Sequence, residues 1–484
     1  MLVYKNLNVN LFLLLIFSIN FNLIISSKRK VSFKKLISNN DLKSLFFMKF
    51  YLVPRNYYKS NYATIKGTFM GHCFYEYVKK KKIENLFIKI NSSYYKGETD
   101  DMEFFLCPKK SNHFCHLWPH RIHFNVPWKI AKDLKEIQLV STKTGKSRIF
   151  PLDTVAAKSK PYEGIVVCVP VLYYYNNWLQ IFLFLEKWRE EGNARIVIYY
   201  KSLSLDVYKL LKYYEGIKLV TLLPAPNFPS GGNARSKTPT SFYISHLFFD
   251  DCMYGRNARY FAVMDVDEYF HIFDNNIKLL NFIKKHSNIY PRKTFFNFES
   301  MYMSYVNHNL DGSFNFGKKV TLTKDNQNIR GKSVTLTSKN EYIGYHFPLD
   351  KKNIVGYNYS SDFNYSEGYR FPVGKAILLH ARPNYVFRKI NSPKKINILT
   401  ESQRLTLVNH YKSLRESLKI KTPFIYKRNI IFHLKKCMKN NIQRLTNARI
   451  CGSNYDICHK RLKNLEEWVY AEGDKNKYYS LIRF

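Results

Sequence analysis

Asp265 and Asp267 follow the apolar run 260–264 with one valine between them. In an extended chain, residues two apart point to the same side, so both carboxylates are expected to leave a sheet edge together. Paired hard oxygen ligands suit Mg²⁺ or Mn²⁺ and leave coordination positions open for a diphosphate. A cation held there would neutralise charge on a departing diphosphate. Room remains for one more protein ligand from the C-terminal half: His380, just past the apolar stretch 373–379, is the first candidate and His346 the second. Arg382 can grip diphosphate oxygens in forked geometry. Each has a plainer reading: a solvated acidic turn, a polar histidine at a strand end, an ordinary ion pair.

These residues need a frame, and the chain from Gly164 onward supplies one. Residues 165–169 form an all-apolar strand, and Pro170 opens a tyrosine-rich loop. Asn177 can cap a helix whose Trp178, Ile181, Phe182, Leu185 and Trp188 recur at helical spacing, with Gly192 as its stop. A second strand at 194–200 leads to a second helix, capped by Ser204 and carrying Val207, Leu210, Leu211 and Tyr214 on one face. A third strand at 217–222 and a third helix at 242–253 precede the strand that ends at Asp265. Strand–helix repetition at this spacing predicts a parallel, helix-covered sheet. Ligands collect at the carboxyl ends of such strands, so Tyr173, after the first strand, should face the same crevice as Asp265 and Asp267. Beyond Phe270 the pattern gives a helix at 276–286, one strand at 294–305 containing Glu299, short strands at 318–322 and 333–337, the strand 373–379, and a charged helical region from about 399.

With 484 residues the chain has room for several domains and a large core. Residues 28–160 carry short aromatic and β-branched runs broken by Gly, Pro and Asn, which predicts a β-rich domain before an α/β domain at 161–400 and a helical extension at 401–484. The formal charge of +41 is very high, but it is spread along the chain and no nucleic-acid-binding signature accompanies it, so no nucleic-acid partner is expected. Residues 11–25 are apolar and about long enough for a signal peptide ending near Ser26-Ser27, so 1–27 is expected to be a signal peptide or a signal anchor. Three N-x-S sequons, at Asn91, Asn358 and Asn364, agree with lumenal exposure. Of the eight cysteines, none forms a C-x₂-C pair; an even count favours some disulfides, and Cys168 inside an apolar strand reads as a buried free thiol.

Taken together, these residues resemble glycosyltransferase family 92, the DUF23 domain. The matching segments are V-C-V-P-V-L-Y at 167–173, W-L-Q-I-F-L-F-L-E at 178–186, Asp251-Cys252, D-V-D-E-Y at 265–269, Lys332-Ser333-Val334 followed by His346, and His380-Ala381-Arg382, where Ala381 departs from the family's tyrosine. The resemblance implies a GT-A-like mixed sheet flanked by helices, Mn²⁺ (or Mg²⁺) held by Asp265 and Asp267, and inverting transfer of a hexose, most simply galactose, from a UDP-sugar to a glycan in the Golgi. It implies a membrane contact through residues 1–27 if these are retained, and secretion if they are cleaved. Tyr173 would stack on uracil, or be a core tyrosine. Inversion needs a proton acceptor, and Glu299 and Asp311 are the candidates on the acceptor side. The competing reading is a secreted glycan-binding relative that kept the fold and lost the chemistry.

Overall fold

The structure is a computed structural model. It describes residues 45–53, 61–71, 86–101, 117–142, 145–226, 245–274, 276–305, 319–324, 331–340, 344, 367–381, 394–420 and parts of 430–437, 454–471 and 482–483. The apolar run at 11–25 lies outside them, as do the sequons at Asn358 and Asn364; Asn91 is exposed in a tight turn. Among the described residues no helix is long and apolar enough to cross a membrane.

The sheet expected from the strand–helix repeats is present. Strands β9 (Tyr162–Leu172), β10 (Ala194–Tyr200), β12 (Val220–Pro224) and β13 (Ala258–Val263) run parallel in the order β12-β10-β9-β13. Their connections are α1 (Trp178–Glu191), α2 (Leu205–Gly216) and α3 (Ser245–Tyr254). Asn177 caps α1 by accepting from the Gln180 amide at 3.1 Å, and Ser204 caps α2 through the Val207 amide at 3.4 Å. Gly192, at φ 64°, turns the chain out of α1 in a conformation that suits glycine. Ile165, Val167, Ile196 and Ile198 pack with Phe182, Leu185, Leu210 and Leu211 in the main core, while Val166, Cys168 and Val197 face α3 on the other side. Both faces are therefore covered, which is why the strands read as continuous apolar runs.

Three further strands make this sheet mixed: β18 (Lys332–Leu336) runs antiparallel to β13, and β15 (Phe295–Phe298) and β19 (Gly368–Arg370) continue it. A second sheet of five strands is ordered β14 (Glu268–Ile272), β20 (Ala376–His380), β16 (Ser300–Tyr305), β17 (Lys319–Lys324), β21 (Lys394–Asn397). The single strand expected at 294–305 is thus two, broken at Glu299, where the chain leaves one sheet for the other. Helix α4 (Leu279–Ile289) precedes β15.

The β-rich N-terminal region forms its own sheet. Its strands are β1 (Phe46–Val53), β2 (Tyr62–Gly71), β3 (Leu86–Ile90), β4 (Ser93–Lys96), β5 (Glu98–Asp101), β6 (Trp118–Pro127), β7 (Glu136–Ser141) and β8 (Ser147–Asp153). Their order is β4-β3-β7-β8-β1-β2-β6-β5, and β23 (Ile482–Arg483) from the chain's end pairs with β1. This sheet shares a core with α3, because Met48, Tyr51 and Met70 pack with Leu247, Phe248 and Cys252. Arg121 of β6 forms a two-pronged ion pair with Asp250, fully buried on α3, and the Tyr51 and Tyr199 hydroxyls both donate to Asp251.

The free-thiol reading of Cys168 is corrected. Cys168 on β9 and Cys252 on α3 are bonded, their Cα atoms 6.0 Å apart, because the strand and the helix that covers it face each other there. Cys437 is bonded to Cys458. After residue 400, α5 (Glu401–Ser417) opens with a capping box between Thr400 and Gln403 and lies along α1, where Tyr411 stacks on Trp178. The rest of the tail is not purely helical: besides α6 (Asn454–Leu462), β22 (Trp468–Tyr470) pairs with β11 (Ser202–Ser204), the short strand before α2.

The Arg121–Asp250 pair generates a prediction. Arg121→Met strands a buried carboxylate and should lower unfolding stability by about 3–5 kcal/mol in urea titration; a loss below about 1 kcal/mol would contradict a load on this pair.

Candidate active site

Strands β9 and β13 lie side by side, but the connections from β9 run one way across the sheet and β13 lies the other way. Such a reversal opens a crevice at the carboxyl ends of the two strands. Tyr173 and Asp265 sit at those ends, one residue beyond β9 and two beyond β13. Tyr173 is half-buried and packs against the core shared with α3.

The two aspartates are not in an extended segment, as the sequence had suggested. The Glu268 amide donates to the Asp265 carbonyl at 3.0 Å, which closes a tight turn from Asp265 to Glu268 between β13 and β14. The Glu268 carboxylate returns a hydrogen bond, accepting from the Asp265 amide at 3.0 Å. The turn is pinned from outside as well: the Ala381 amide donates to the Asp267 carbonyl at 2.7 Å, and Gln180, from the first turn of α1, donates to the Ala381 carbonyl at 3.2 Å.

Because the chain turns, the carboxylates take different neighbours. Asp265 lies 3.1 Å from the Lys332 ammonium, which also lies 3.3 Å from Glu268. Asp267 lies 3.4 Å from His380 Nε2. The register explains both contacts. Glu268 is paired with His380 across β14 and β20, and Ala262 with Val334 across β13 and β18, so the first residue of β18 reaches the end of β13. Tyr302, opposite His380 on β16, places its ring 5.2 Å from the imidazole.

Burial is graded across the cluster. The Lys332 and Glu268 side chains are 1% and 5% exposed, whereas Asp265 and Asp267 are 31% and 20% exposed. A buried lysine–glutamate floor therefore carries two carboxylates that reach solvent. Burial pushes the Glu268 carboxyl above its usual range, with Lys332 opposing and the two aspartates reinforcing the rise. Burial pulls Lys332 down, but Asp265 and Glu268 outweigh it and raise the ammonium above its usual value. The two shifts differ in cause: burial leads for Glu268, whereas the paired carboxylates of Asp265 and Glu268 lead for Lys332.

Lys332 played no chemical part in the sequence reading. The structure shows why it matters: it opens a strand in which all five residues are buried, and a buried lysine needs an acidic partner. Gly331 before it is equally constrained, since a Cβ there would fall 1.6 Å from the Phe298 carbonyl oxygen.

Among the described residues no three His, Cys, Asp or Glu side chains form a group able to hold a metal ion. The donor set still fits a divalent cation that also takes substrate oxygens. Asp267 and His380 offer one hard oxygen and one imidazole, and Mg²⁺ is commonly bound through only one or two carboxylates plus phosphates. His346, Arg382 and Asp311 lie outside the described residues. Glu299 stands at the crossing between β15 and β16; its carbonyl accepts from the Leu378 amide at 2.8 Å and its own amide lies beside Gly331.

The family model for glycosyltransferase family 92 matches residues 163–413, just over half of the chain. The chain belongs to glycosyltransferase family 92. The match starts in β9 and ends in α5, so it takes in the seven- and five-stranded sheets and the Asp265–Glu268 turn that joins them. No match is found among curated proteins. Two family 92 segments are structural in this chain. Glu186 of the tryptophan-led helix is buried, accepts from Arg189 and from Tyr214 at 2.6 Å, and lies 3.1 Å from His410 of α5. Although burial alone would raise it, hydrogen bonds from His410, Arg189 and Tyr214 hold its carboxyl below the usual range. Asp251 and Cys252 tie α3 to β1, β9 and β10, on the face away from α1.

A cavity of about 280 Å³ lies on the other face of β14 and β20, between that sheet and helices α1 and α5. Leu183, Met303, Leu379 and Leu407 line it, with His271 at its wall. Burial, with Lys187 adding to it, pushes the His271 imidazole down to about 4 from 6.5. The folded form therefore prefers neutral His271. Stability from this preference is fully present above pH 6.5 and is lost as pH falls toward 4, on the order of 3 kcal/mol in all. His271→Gln should accordingly narrow the gap in Tm between pH 7.5 and pH 4.5. An unchanged gap would show that His271 does not carry the acid sensitivity.

Proposed function

We propose that the chain is a metal-dependent, GT-A-type glycosyltransferase that moves a hexose, most simply galactose, from a UDP-sugar to a glycan acceptor with inversion. The observation that carries this reading is the Asp265–Glu268 turn. It sets two partly exposed carboxylates at the reversal point of an α/β sheet, over a buried charged floor and beside His380. Mn²⁺ or Mg²⁺ would be held by Asp267 and His380, with Asp265 beside them, and when bound would supply charge neutralisation for the diphosphate leaving group. The protein's part is positioning. The backbone bonds from Glu268 and Ala381 fix both aspartates before substrate arrives, so little ordering cost remains at binding. Tyr173, at the end of β9, is the residue proposed to border the nucleotide, and Arg382 the one proposed to meet its phosphates. Glu299 and Asp311 are the proposed proton acceptors, His346 the proposed further ligand.

Residence in the secretory pathway, as a Golgi type II membrane protein or a secreted form, belongs to the same proposal. The bonded pairs Cys168–Cys252 and Cys437–Cys458 support it, since such bonds persist in oxidising compartments.

The test is release of UDP from a panel of UDP-sugars with Mn²⁺ and glycan acceptors. Asp267→Asn should cut turnover about a hundredfold or more while leaving the circular dichroism spectrum and Tm near wild type. Equal turnover by wild type and variant would remove the metal assignment. Mn²⁺ binding without turnover on any donor would favour the inactive, glycan-binding reading.

A further inference from the structure

We propose that Lys332 is a positioning residue for the cation site: it acts as Asp265's resident counter-ion and leaves Asp267, with His380, to meet the divalent cation. The proposal rests on the metal-dependent reading above and assigns different work to the two aspartates of one motif.

Three observations carry it. Lys332 is 1% exposed and sits 3.1 Å from Asp265 and 3.3 Å from Glu268, so its ammonium is spent inside the protein and out of reach of a substrate phosphate. Asp265 is held twice, by Lys332 through its carboxylate and by Glu268 through its amide, while Asp267 faces a different group, His380. The backbone is also built around the lysine. Gly331 lets β18 approach Phe298 more closely than any side chain would allow, and the pairing of Phe298 with Lys332 fixes where the ammonium enters.

Charge arithmetic gives the arrangement a purpose. Asp265, Asp267 and Glu268 crowd three acidic groups together, and Lys332 sets one positive charge between Asp265 and Glu268. Without Lys332 the cluster would be one charge more negative and Asp265 would be released to ligate, giving a site that grips its ion more tightly.

The experiment is titration of the full chain with Mn²⁺ alone, followed by electron paramagnetic resonance of free Mn²⁺ and by calorimetry, on wild type, Asp265→Asn, Asp267→Asn, Lys332→Met and the double variant Lys332→Met/Asp265→Asn. Asp267→Asn should weaken Mn²⁺ at least about tenfold more than Asp265→Asn does. Lys332→Met should tighten Mn²⁺ about tenfold or more, and the double variant, with the charge count restored, should return to within about threefold of wild type. A merely structural lysine would alter Tm without moving Mn²⁺ affinity in this pattern. Equal losses in Asp265→Asn and Asp267→Asn, or unchanged affinity in Lys332→Met, would overturn the inference while leaving the metal reading intact. If Lys332→Met does not fold, the comparison of the two aspartate variants decides alone. Wild type that binds no Mn²⁺, either alone or with UDP added, would overturn both.

Discussion

A lysine ammonium buried between two carboxylates is the interaction on which the rest of this site depends. Taking a charge out of water is costly, and the attraction of a partner repays it only when geometry is good. Here the geometry comes from register: β18 runs antiparallel to β13, begins beside its end, and places Lys332 beneath the turn that Asp265 opens. The same charge steadies Glu268, whose carboxylate closes the turn by accepting from the Asp265 amide. Turn, floor and strand register are therefore one device.

That device sits on a seam. The chain crosses from the seven-stranded to the five-stranded sheet at Asp265–Glu268, and crosses again at Glu299 between β15 and β16. Backbone at a seam is freed from the regular ladder, so its amides and carbonyls can be turned to hold side chains in place. Ala381, pinned between Gln180 and Asp267, extends the same logic to α1 and β20.

Much of the frame was legible from sequence because it is governed by local rules. Asn177 and Ser204 cap the helices they were expected to cap, Gly192 ends α1, and the strand expected at 194–200 is β10. What escaped is set by contacts distant in the chain. The Asp265–Glu268 turn depends on where β14 must go next, and Cys168 is bonded to a residue 84 positions away. Lys332 reaches Asp265 across 67 positions, which no periodicity reports. Aspartate two residues before aspartate drew attention to this turn, while the assumption of an extended backbone between them does not hold, since side chains alternate only where the strand continues.

The buried charges on α3 bear on where this protein can be divided. Similarity to family 92 begins at residue 163, yet Asp250 and Asp251 behind that border are satisfied by Arg121 and Tyr51 ahead of it, and Met48 and Met70 share a core with Leu247 and Phe248. The line along which sequences are alike is thus not a line along which the polypeptide comes apart. The N-terminal sheet packs as one wall of the same core, and a piece trimmed to the homologous span would expose aspartates that are buried in the whole chain.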